Sequence, residues 1–447
     1  MRRAALAILA LAFAADAEHA AAKSWRAGTA AADITPEQPV WLAGYAARNR
    51  PSEGVAQRIY AKALALEDQR GRRLVLVTSD ILGFTPALTR PIAERLSQSL
   101  KLAREEVLFT SSHTHTAPVV REYMVFAYGM TPEQEAAVES YSRLLVDKVA
   151  AVVEEAVRDQ RPARLRFGRG RAGFAVNRRV ITPRGVSFGV NREGPVDHDV
   201  PVLRVDGTDG RLRALVFGYA CHNTTLTGQH YQVSGDYAGH AQEALEKDHP
   251  GTRALFVAGF AGDSNPEPRG QPEHAAAHGA ELAAAVESVI GRRMKPVKGS
   301  LEVAFDYVEL PFAPAPAREE LERRLQEADV GRQRHARRML EILARDGRLP
   351  SIYPDPVHVA QFGRTFTLIA YSIRLRKELA PLPLFLAAYC NDVFAYVPSV
   401  RLLREGGYEG GGSMIFYGRP APWAEEVEER LVDKVHELAR RVTRSAP

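Results

Sequence analysis

Val107-Leu108-Phe109-Thr110-Ser111-Ser112-His113-Thr114-His115-Thr116-Ala117-Pro118 is the stretch around which the rest of the chain is organised. Its first four residues are apolar or β-branched and predict a buried strand. In a strand, residues i and i+2 share a face, so His113 and His115 are expected to leave the strand end on the same side. Two imidazoles so placed are typical of a metal site or an acid/base pair. Taken alone, the pair is equally consistent with polar residues in a surface loop.

The composition is that of a globular protein with room for one large or two ordinary domains. Of its 447 residues, 45% are hydrophobic and 25% are charged. The net charge is +5, and Lys and Arg are interspersed with Asp and Glu instead of forming a basic stripe. A nucleic-acid partner is therefore not expected.

The N-terminus has the features of a targeting segment. Met1-Arg2-Arg3 is positively charged, residues 4–14 are apolar, and small residues follow. We predict a signal peptide over residues 1–22 and export of the remainder to the periplasm or out of the cell. The alternative is an N-terminal membrane anchor, which the short apolar run disfavours. In an exported protein, Cys221 and Cys390 are either buried thiols or a disulfide.

Apolar strands alternate with amphipathic helices along the chain, which indicates an α/β fold. Thr85-Pro86 is expected to begin a helix to about Lys101, and Thr131-Pro132-Glu133-Gln134 is a capping box that begins another to about Asp159. One charged helix is expected over residues 317–346. The predicted strands cover residues 24–36, 58–67, 73–78, 107–110, 163–168, 200–205, 212–220, 254–258, 301–310, 365–370 and 384–390. With no repeat and no linker, we predict mixed sheets flanked by helices in one large domain over residues 23–447.

Polar side chains recur where the predicted strands end. They are Asp80, His113, His115, His222, Asp263 and the segment 391–396. Ligands of α/β folds bind beyond strand ends, because the loops there converge on one crevice. This recurrence favours a function for His113, His115 and His222, whereas the other histidines are expected to be structural.

In this order the motifs resemble those of the neutral ceramidase family (neutral/alkaline non-lysosomal ceramidases, N-terminal catalytic domain) over nearly the whole mature chain. The motifs that carry the resemblance are Asp33-Ile34-Thr35-Pro36, Gly44-Tyr45-Ala46, Ser112-His113-Thr114-His115-Thr116-Ala117-Pro118, Val176-Asn177-Arg178-Arg179, Cys221-His222-Asn223-Thr224, Ser234-Gly235-Asp236, Gly262-Asp263-Ser264-Asn265-Pro266, Asn391 to Tyr396, and Gly407-Tyr408-Glu409-Gly410. The resemblance implies a zinc-dependent amidase that cleaves the N-acyl bond of ceramide to a fatty acid and a sphingoid base.

The resemblance also implies a division of roles among the site residues. The family's zinc ligands correspond to His113, His222 and Tyr396. The residues that assist the tetrahedral intermediate correspond to His115, Arg178 and Tyr408. Zinc polarises a carbonyl or a bound water, and Arg, His and Tyr donors stabilise the developing oxyanion.

The chain departs from the family at the position of a further zinc ligand. The family's Gly-Glu step is expected between Thr365 and Arg374, but Thr367–Arg374 contains neither Gly nor an acidic residue. A zinc site with two His and a Tyr binds more weakly unless water or another carboxylate, Glu409 or Asp392, substitutes.

A second departure concerns the nucleophile. Asn265 stands where the family has a nucleophilic Ser before Pro, and Ser264 is one residue early. This favours direct attack by a metal-activated water over an acyl-enzyme route, with Asn265 orienting water or substrate. The alternative is that Asn265 only caps a turn before Pro266. The family's C-terminal immunoglobulin-like domain is not expected within these residues.

The sequence therefore predicts an exported zinc-dependent hydrolase of an amide or ester bond. The expected partner is a lipid or other small-molecule amide, with peripheral contact to a membrane surface; no oligomeric state is predicted. Two alternatives stay open. One is a metal-impaired relative that binds a ligand without turnover, and the other is a metallohydrolase of a polar cell-envelope amide or ester.

Overall fold

The computed structural model describes residues 25–369 and 383–444. In chain order the strands are β1 (Trp25–Asp33), β2 (Gly54–Val55), β3 (Tyr60–Glu67), β4 (Arg73–Ser79), β5 (Val107–Ser111), β6 (Arg161–Arg171), β7 (Ala175–Thr182), β8 (Gly185–Asn191), β9 (Asp199–Gly207), β10 (Leu212–Tyr219), β11 (Gln232–Val233), β12 (Arg253–Ala258), β13 (Ser264–Pro266), β14 (Lys295–Pro296), β15 (Leu301–Pro311), β16 (Ile352–Phe362), β17 (Phe366–Ile369) and β18 (Leu384–Leu386). The helices are α1 (Pro86–Leu100), α2 (Val125–Tyr128), α3 (Pro132–Arg158), α4 (Asp236–Asp248), α5 (Pro272–Ile290), α6 (Arg318–Arg324), α7 (Val330–Asp346), α8 (Val400–Glu405) and α9 (Val427–Arg444), with 3₁₀ turns at Arg104–Glu106 and Gly412–Ile415.

The main sheet has nine strands in the order β12-β10-β9-β6-β1-β3-β4-β5, with β14 beside β6. β4 and β5 are parallel, as are β10 and β12, and the ladders between these pairs are antiparallel. Followed along the ladders, β5 and β10 therefore run in opposite directions.

The two ends of this sheet meet. A rotation of about 20–25° per step accumulates to roughly 150° over the seven steps from β5 to β12. The sheet curls until β12 contacts β5. The segment after β18 bridges the carboxyl ends of both strands, since Ala388 N–H donates to Ala258 and Ser111 N–H donates to Tyr389. Loops that follow β5, β10 and β12 thus meet in one place.

The protein is layered as helix, sheet, sheet and helix. On one face of the main sheet, α1 and α3 cover β3 to β5, and α4 and α5 cover β9, β10 and β12. The other face packs on a second sheet, β15-β16-β17-β18, through Phe167, Phe366 and Phe385. Helix α9 covers the outer face of that second sheet. The prediction of mixed sheets flanked by helices is confirmed.

The capping signals have different outcomes. Thr131 caps α3 as predicted, because its hydroxyl accepts from Gln134 N–H while Gln134 accepts from Thr131 N–H at 3.0 Å. Thr85 precedes α1 with Pro86 in the first turn, but its hydroxyl donates to the Arg121 carbonyl and makes no cap bond. Helix boundaries were therefore predictable even where the cap contact was not.

The structure differs from the sequence prediction in one helix and in two elements that were not predicted. The charged segment 317–346 forms two helices, α6 and α7, because the Asp329 side chain accepts from Arg332 N–H and begins a new helix. Strand β16 was missed, since Pro354 and Pro356 argue against a strand. The hairpin of β7 and β8 was also missed. It forms, with β13, a separate sheet in the order β13-β7-β8.

Two sequence predictions fall outside the described residues. These are the signal peptide over residues 1–22 and most of the segment from Thr367 to Arg374, of which the structure describes the part up to Ile369. Within residues 25–369 and 383–444, no helix combines the length and apolar character needed to cross a bilayer.

Candidate metal centre

His113 lies two residues beyond β5 and points into a buried cluster. Its backbone is left-handed, with φ of 57°, a conformation that needs tertiary contacts to hold it. Its N–H donates to the Ile81 carbonyl at 3.1 Å, and its Nδ1 lies 2.6 Å from the Leu82 carbonyl oxygen. A carbonyl oxygen only accepts, so Nδ1 carries the proton and Nε2 keeps its lone pair.

The expectation that His113 and His115 share a strand face is wrong. Strand β5 ends at Ser111, so both histidines lie in the loop that follows, and strand alternation does not set their directions. Their rings nevertheless meet edge to face, with centroids 4.9 Å apart. The left-handed turn at His113 and the contacts of the loop bring them together.

His222 enters the cluster from the loop after β10. Its backbone N–H donates to the Ser264 carbonyl, and its Nδ1 lies 2.5 Å from the Ala261 carbonyl oxygen. Nδ1 is therefore the protonated nitrogen, and Nε2 accepts from the Tyr396 hydroxyl at 2.9 Å. His222 and His113 thus have the same tautomer and use the same kind of backbone anchor.

His115 is held by packing. Its ring lies 5.0 Å from that of Tyr45, and Gly44 approaches it so closely that a Cβ there would lie 2.4 Å from Nδ1. Gly44 also has φ of +95°, so only glycine suits this position. Both ring nitrogens of His115 are buried and have no hydrogen-bond partner within the described residues.

The three imidazoles fit a zinc-class cation. One ligand atom from each of His113, His115 and His222 lies within 4.8 Å of the others. Nε2 of His113 and both nitrogens of His115 are buried without a partner in the described chain, which costs about 1–3 kcal/mol for each group. A cation bound by imidazole would satisfy them. The Nδ1–H contacts to carbonyls are the kind that orient metal-binding histidines.

Burial keeps these histidines neutral. It lowers the pKa of His113 to about 3, and the nearby Arg178 charge lowers that pKa as well. Burial, with Arg178 and the neighbouring imidazoles, also lowers the pKa of His115 and His222 well below the usual value. Neutral imidazole is the form that binds a metal, so the ligands are available at and below neutral pH.

Arg178 connects the histidines to other predicted site residues. It lies on β7, and its guanidinium donates to the Tyr396 hydroxyl at 3.1 Å, to Asn265 Oδ1 at 3.3 Å and to Glu409 Oε1 at 2.8 Å. Strand β13 pairs with β7 and thereby sets Asn265 beside Arg178. The ring of Tyr408 lies 5.4 Å from that of Tyr396. The residues predicted from four distant parts of the chain therefore form one group.

Neither carboxylate considered as a substitute ligand joins the histidines. Glu409 accepts from Arg178 through one oxygen and from Arg179 through the other, at 2.7 Å. Asp392 accepts from the Tyr353 hydroxyl. Within the described residues, the ligand group at this site contains only histidines among the His, Cys, Asp and Glu side chains. Glu409 instead holds the guanidinium of Arg178 in place.

The other strand-end acids position backbone. Asp80 accepts from Tyr60 N–H and from the Gln242 amide. Asp263 accepts from the Asn177 amide, and its carbonyl accepts from Arg178 N–H at 2.7 Å. Both cysteines, Cys221 and Cys390, are buried free thiols. These residues support the loops around the cluster and do not join it.

Tyr389 is a site residue that the sequence analysis missed. Its ring stacks on that of His113 with centroids 3.9 Å apart and planes inclined by 19°. Its hydroxyl is buried and has no hydrogen-bond partner within the described residues. The signal in the sequence was its place in the same post-strand segment as Tyr396, which begins at the end of β18.

An apolar cavity of about 650 Å³ lies next to this group. Tyr389, Tyr396, Asp263 and Glu409 form part of its wall. The remaining lining is largely apolar and includes Phe394, Val397, Leu402, Leu431 and Val432. A larger cavity of about 1170 Å³ lies between α1, α3 and α7 and is lined by many Arg and Glu side chains. Of the two, the apolar cavity suits a hydrocarbon chain.

Comparison with known proteins gives consistent results. A family model described as neutral/alkaline non-lysosomal ceramidase, N-terminal, matches residues 25–274, more than half of the chain. The neutral ceramidase of Pseudomonas aeruginosa is 26% identical over 312 residues, which is 65% of this chain and 46% of that protein. The neutral ceramidase of Mycobacterium tuberculosis is 26% identical over 264 residues, which is 54% of this chain and 40% of that protein. The chain thus spans less than half the length of these curated relatives.

Solved structures show the same fold. The crystal structure of neutral ceramidase from Pseudomonas aeruginosa has a TM-score of 0.69 at 22% identity and covers 88% of this chain and 72% of that chain. A structure described as ceramidase complexed with C2 has a TM-score of 0.70 at 19% identity, covering 91% and 73% of the two chains. At these identities the likeness concerns the fold.

Proposed function

Because the chain belongs to the neutral/alkaline non-lysosomal ceramidase family, we propose that it is a zinc-dependent hydrolase of the amide bond of an N-acyl lipid. The observation that carries the proposal is the shared tautomer of His113 and His222. Each donates Nδ1–H to a backbone carbonyl and leaves the lone pair of Nε2 for a ligand. Two buried histidines arranged in this way are better explained by a cation than by folding alone.

His113, His222 and Tyr396 hold the metal in this proposal. Tyr396 qualifies because its hydroxyl already bonds Nε2 of His222 and accepts from Arg178. Burial raises the pKa of Tyr396, and the positive charge of Arg178 offsets part of that rise. When bound, zinc supplies a Lewis acid that polarises the substrate carbonyl or a water.

The chain's own residues handle charge and protons. Arg178 stabilises negative charge on the carbonyl oxygen, and Glu409 fixes the guanidinium for this task. The ring nitrogens of His115 have no partner in the described structure, so His115 is placed to accept a proton from water and return it to the leaving amine. Tyr408, packed against Tyr396, closes the same side of the group.

Asn265 orients water or substrate through its amide NH₂ group. Its Oδ1 accepts from Arg178 and from the Thr224 hydroxyl at 3.3 Å, which fixes the orientation of the amide. Ser264 precedes it in strand β13, so the two side chains point to opposite faces. We expect Asn265→Ala to reduce kcat about 100-fold, the usual cost of misplacing a reacting group. A covalent acyl adduct trapped on the protein and detected by mass spectrometry would overturn the direct-water route.

An acyl chain fits the apolar cavity beside Tyr396. A volume of about 650 Å³ lies within the range of ligand-binding cavities. Its wall contains both polar groups of the site and the aliphatic side chains of Leu402, Leu431 and Val432. This supports an N-acyl lipid such as ceramide over a small polar amide.

Metal analysis tests the proposal directly. Zinc per chain is measured for the wild type, His113→Ala and His222→Ala after dialysis against a weak chelator. His249→Ala is the matched control, because His249 pairs with Glu287 away from the cluster. We expect zinc to be lost from the two site variants and retained in the control. Equal zinc in all four proteins would end the ligand assignment.

A substrate panel separates the two alternatives. The absence of a carboxylate from the histidine group, among the described residues, favours weak metal binding and thus a ligand-binding relative without turnover. No hydrolysis of ceramide or of short polar N-acyl compounds, with zinc added, would support that alternative. Faster hydrolysis of the polar compounds than of ceramide would instead support a cell-envelope substrate. The proposed function requires ceramide to be the better substrate.

Export is part of the same proposal. It rests on the charged and apolar N-terminal residues and on a predicted cleavage near residue 22. N-terminal sequencing of the protein recovered from outside the inner membrane tests it, and a chain that keeps Met1 there would contradict it.

A further inference from the structure

The hairpin of β7 and β8 exposes large apolar side chains. Ile181 is 70% exposed, Phe188 is 58% exposed and Val190 is 50% exposed. Ile181 has the largest exposed fraction of the large hydrophobic side chains in the described residues. Single exposed hydrophobics are ordinary on protein surfaces, whereas a group on one short element marks an interaction surface.

This hairpin adjoins the candidate metal centre. β7 carries Arg178, and the ring centroid of Phe188 lies 4.9 Å from the Arg178 guanidinium. The same ring lies 5.3 Å from that of Tyr408. Whatever contacts the exposed part of Phe188 is therefore one side chain away from residues of the site.

Charge on the hairpin is of one sign. Between Val180 and Asn191 the charged side chain is Arg184, at the turn, and Arg192 follows directly after β8; both are exposed, and Glu193 comes next. Apolar side chains flanked by arginine suit an interface with an anionic lipid surface, where the rings and aliphatic groups enter the acyl boundary and the guanidinium groups meet phosphate.

We infer that the β7–β8 hairpin docks the protein on an anionic lipid surface and places the metal centre where an N-acyl lipid leaves the bilayer. The inference rests on the proposed lipid substrate for its purpose, but the docking itself requires no turnover. A second copy of the chain is the competing occupant, since β8 is an edge strand of its sheet. The arginine flanks favour the lipid, because identical hairpins would bring like charges together.

Vesicle flotation tests the apolar part of the surface. The wild type, Ile181→Ser/Val190→Ser and the control Val330→Ser/Ile352→Ser are mixed with vesicles of phosphatidylcholine, with and without phosphatidylglycerol. The control removes one Val and one Ile that are 52% and 40% exposed on other elements. We expect the hairpin variant to bind mixed vesicles about tenfold more weakly or worse, because it loses two apolar side chains that docking buries in the bilayer. The control should bind like the wild type. Equal binding by the hairpin variant would overturn the inference.

The charged part has its own comparison. Arg184→Gln/Arg192→Gln is expected to weaken binding to the mixed vesicles about fivefold per arginine, without changing binding to phosphatidylcholine alone. Arg318→Gln/Arg323→Gln, which removes two exposed charges elsewhere, is the control and should change little. An equal loss in both pairs would mean that net charge, and not the hairpin, drives binding.

Two further readouts separate the possible failures. Sedimentation of a dimer that Ile181→Ser/Val190→Ser dissociates, with unchanged flotation, would assign the surface to a second copy and overturn the lipid assignment. Hydrolysis of a water-soluble short-chain amide should be unchanged in that variant, while hydrolysis of the same amide type embedded in vesicles falls. Hairpin-dependent flotation by a protein that hydrolyses no amide would refute the proposed function and support the docking surface. Amide hydrolysis by a protein whose flotation does not depend on the hairpin would support the proposed function and refute the docking surface.

Discussion

The Tyr396 hydroxyl donates to Nε2 of His222 across 2.9 Å, although 174 residues separate the two in the chain. The same hydroxyl accepts from Arg178. Burial raises the pKa of this phenol, and the guanidinium offsets part of that rise because it stabilises the negative charge left when the proton is exchanged for a metal ion. This contact links the loop after β10 to the segment that follows β18, and it defines what the following variants should do.

Tyr396→Phe removes a proposed ligand and should lower zinc affinity by more than the roughly 10–100-fold that loss of a group supporting a ligand costs. The change removes the only atom that His222 Nε2 and Arg178 share in the described structure. Tyr219→Phe is the matched control, since it also deletes a buried hydroxyl, one that bonds the Ala172 carbonyl. Zinc titration measures the affinity of both variants. Identical zinc affinities for Tyr396→Phe and Tyr219→Phe would show that Tyr396 is not a zinc ligand.

Tyr389→Ala should destabilise the protein by about 3–5 kcal/mol through the cavity it leaves, and should weaken zinc binding because His113 loses the ring stacked on it. Tyr389→Phe keeps that ring and removes a hydroxyl that has no partner in the described residues. We expect the Phe variant to retain zinc affinity and to unfold at equal or higher denaturant concentration. If Phe and Ala lose zinc equally, the Tyr389 hydroxyl is itself a ligand.

Glu409→Gln should destabilise the protein by about 3–5 kcal/mol, because it leaves two buried guanidinium groups with incomplete neutralisation. Arg178 and Arg179 both bond Glu409, and all three side chains are buried. Activity should fall as Arg178 loses its fixed position. Glu405→Gln is the control, since Glu405 contacts Arg179 from a more exposed place; denaturation should show a loss below about 1 kcal/mol there. Equal losses would place no special role on Glu409.

Asp392→Asn should change how stability depends on pH. Burial raises the pKa of Asp392 from 3.8 to about 6, despite the bond from Tyr353. A raised folded-state pKa contributes stability that is fully present below pH 3.8 and is lost as pH rises to about 6. This loss amounts to about 3 kcal/mol in the wild type and is absent from the Asn variant.

Urea unfolding at about pH 4 and about pH 7 measures this difference. Relative to Asp392→Asn, the wild type should be about 2 kcal/mol more stable at about pH 4 than at about pH 7, because part of the effect is already lost at pH 4. Asp147→Asn, at an exposed side chain, should follow the wild-type pH dependence. If the stability difference between the wild type and Asp392→Asn is the same at both pH values, the raised pKa is contradicted.

Much of the fold was accessible from local patterns. The Thr131 capping box, the apolar runs at β4, β5, β10 and β12, and the family motifs all depend on residues close together in the chain. Patterns that mislead have identifiable causes. Pro354 and Pro356 concealed β16, and the polar Asn177-Arg178-Arg179 run concealed β7, whose side chains are satisfied by partners far away in sequence.

The sequence by itself determined the family, the α/β fold class and the identity of the histidines, because each follows from residue type and spacing. Only the tertiary structure decided how they meet. β5 and β10 run in opposite directions along the ladder, yet the contact between β12 and β5 closes the sheet, and the ring centroids of His113 and His222 lie 5.0 Å apart. The Leu82 and Ala261 carbonyls fix the tautomers of His113 and His222. Glu409 accepts hydrogen bonds from two arginines. Such contacts depend on backbone groups and long-range geometry, which residue order does not encode locally.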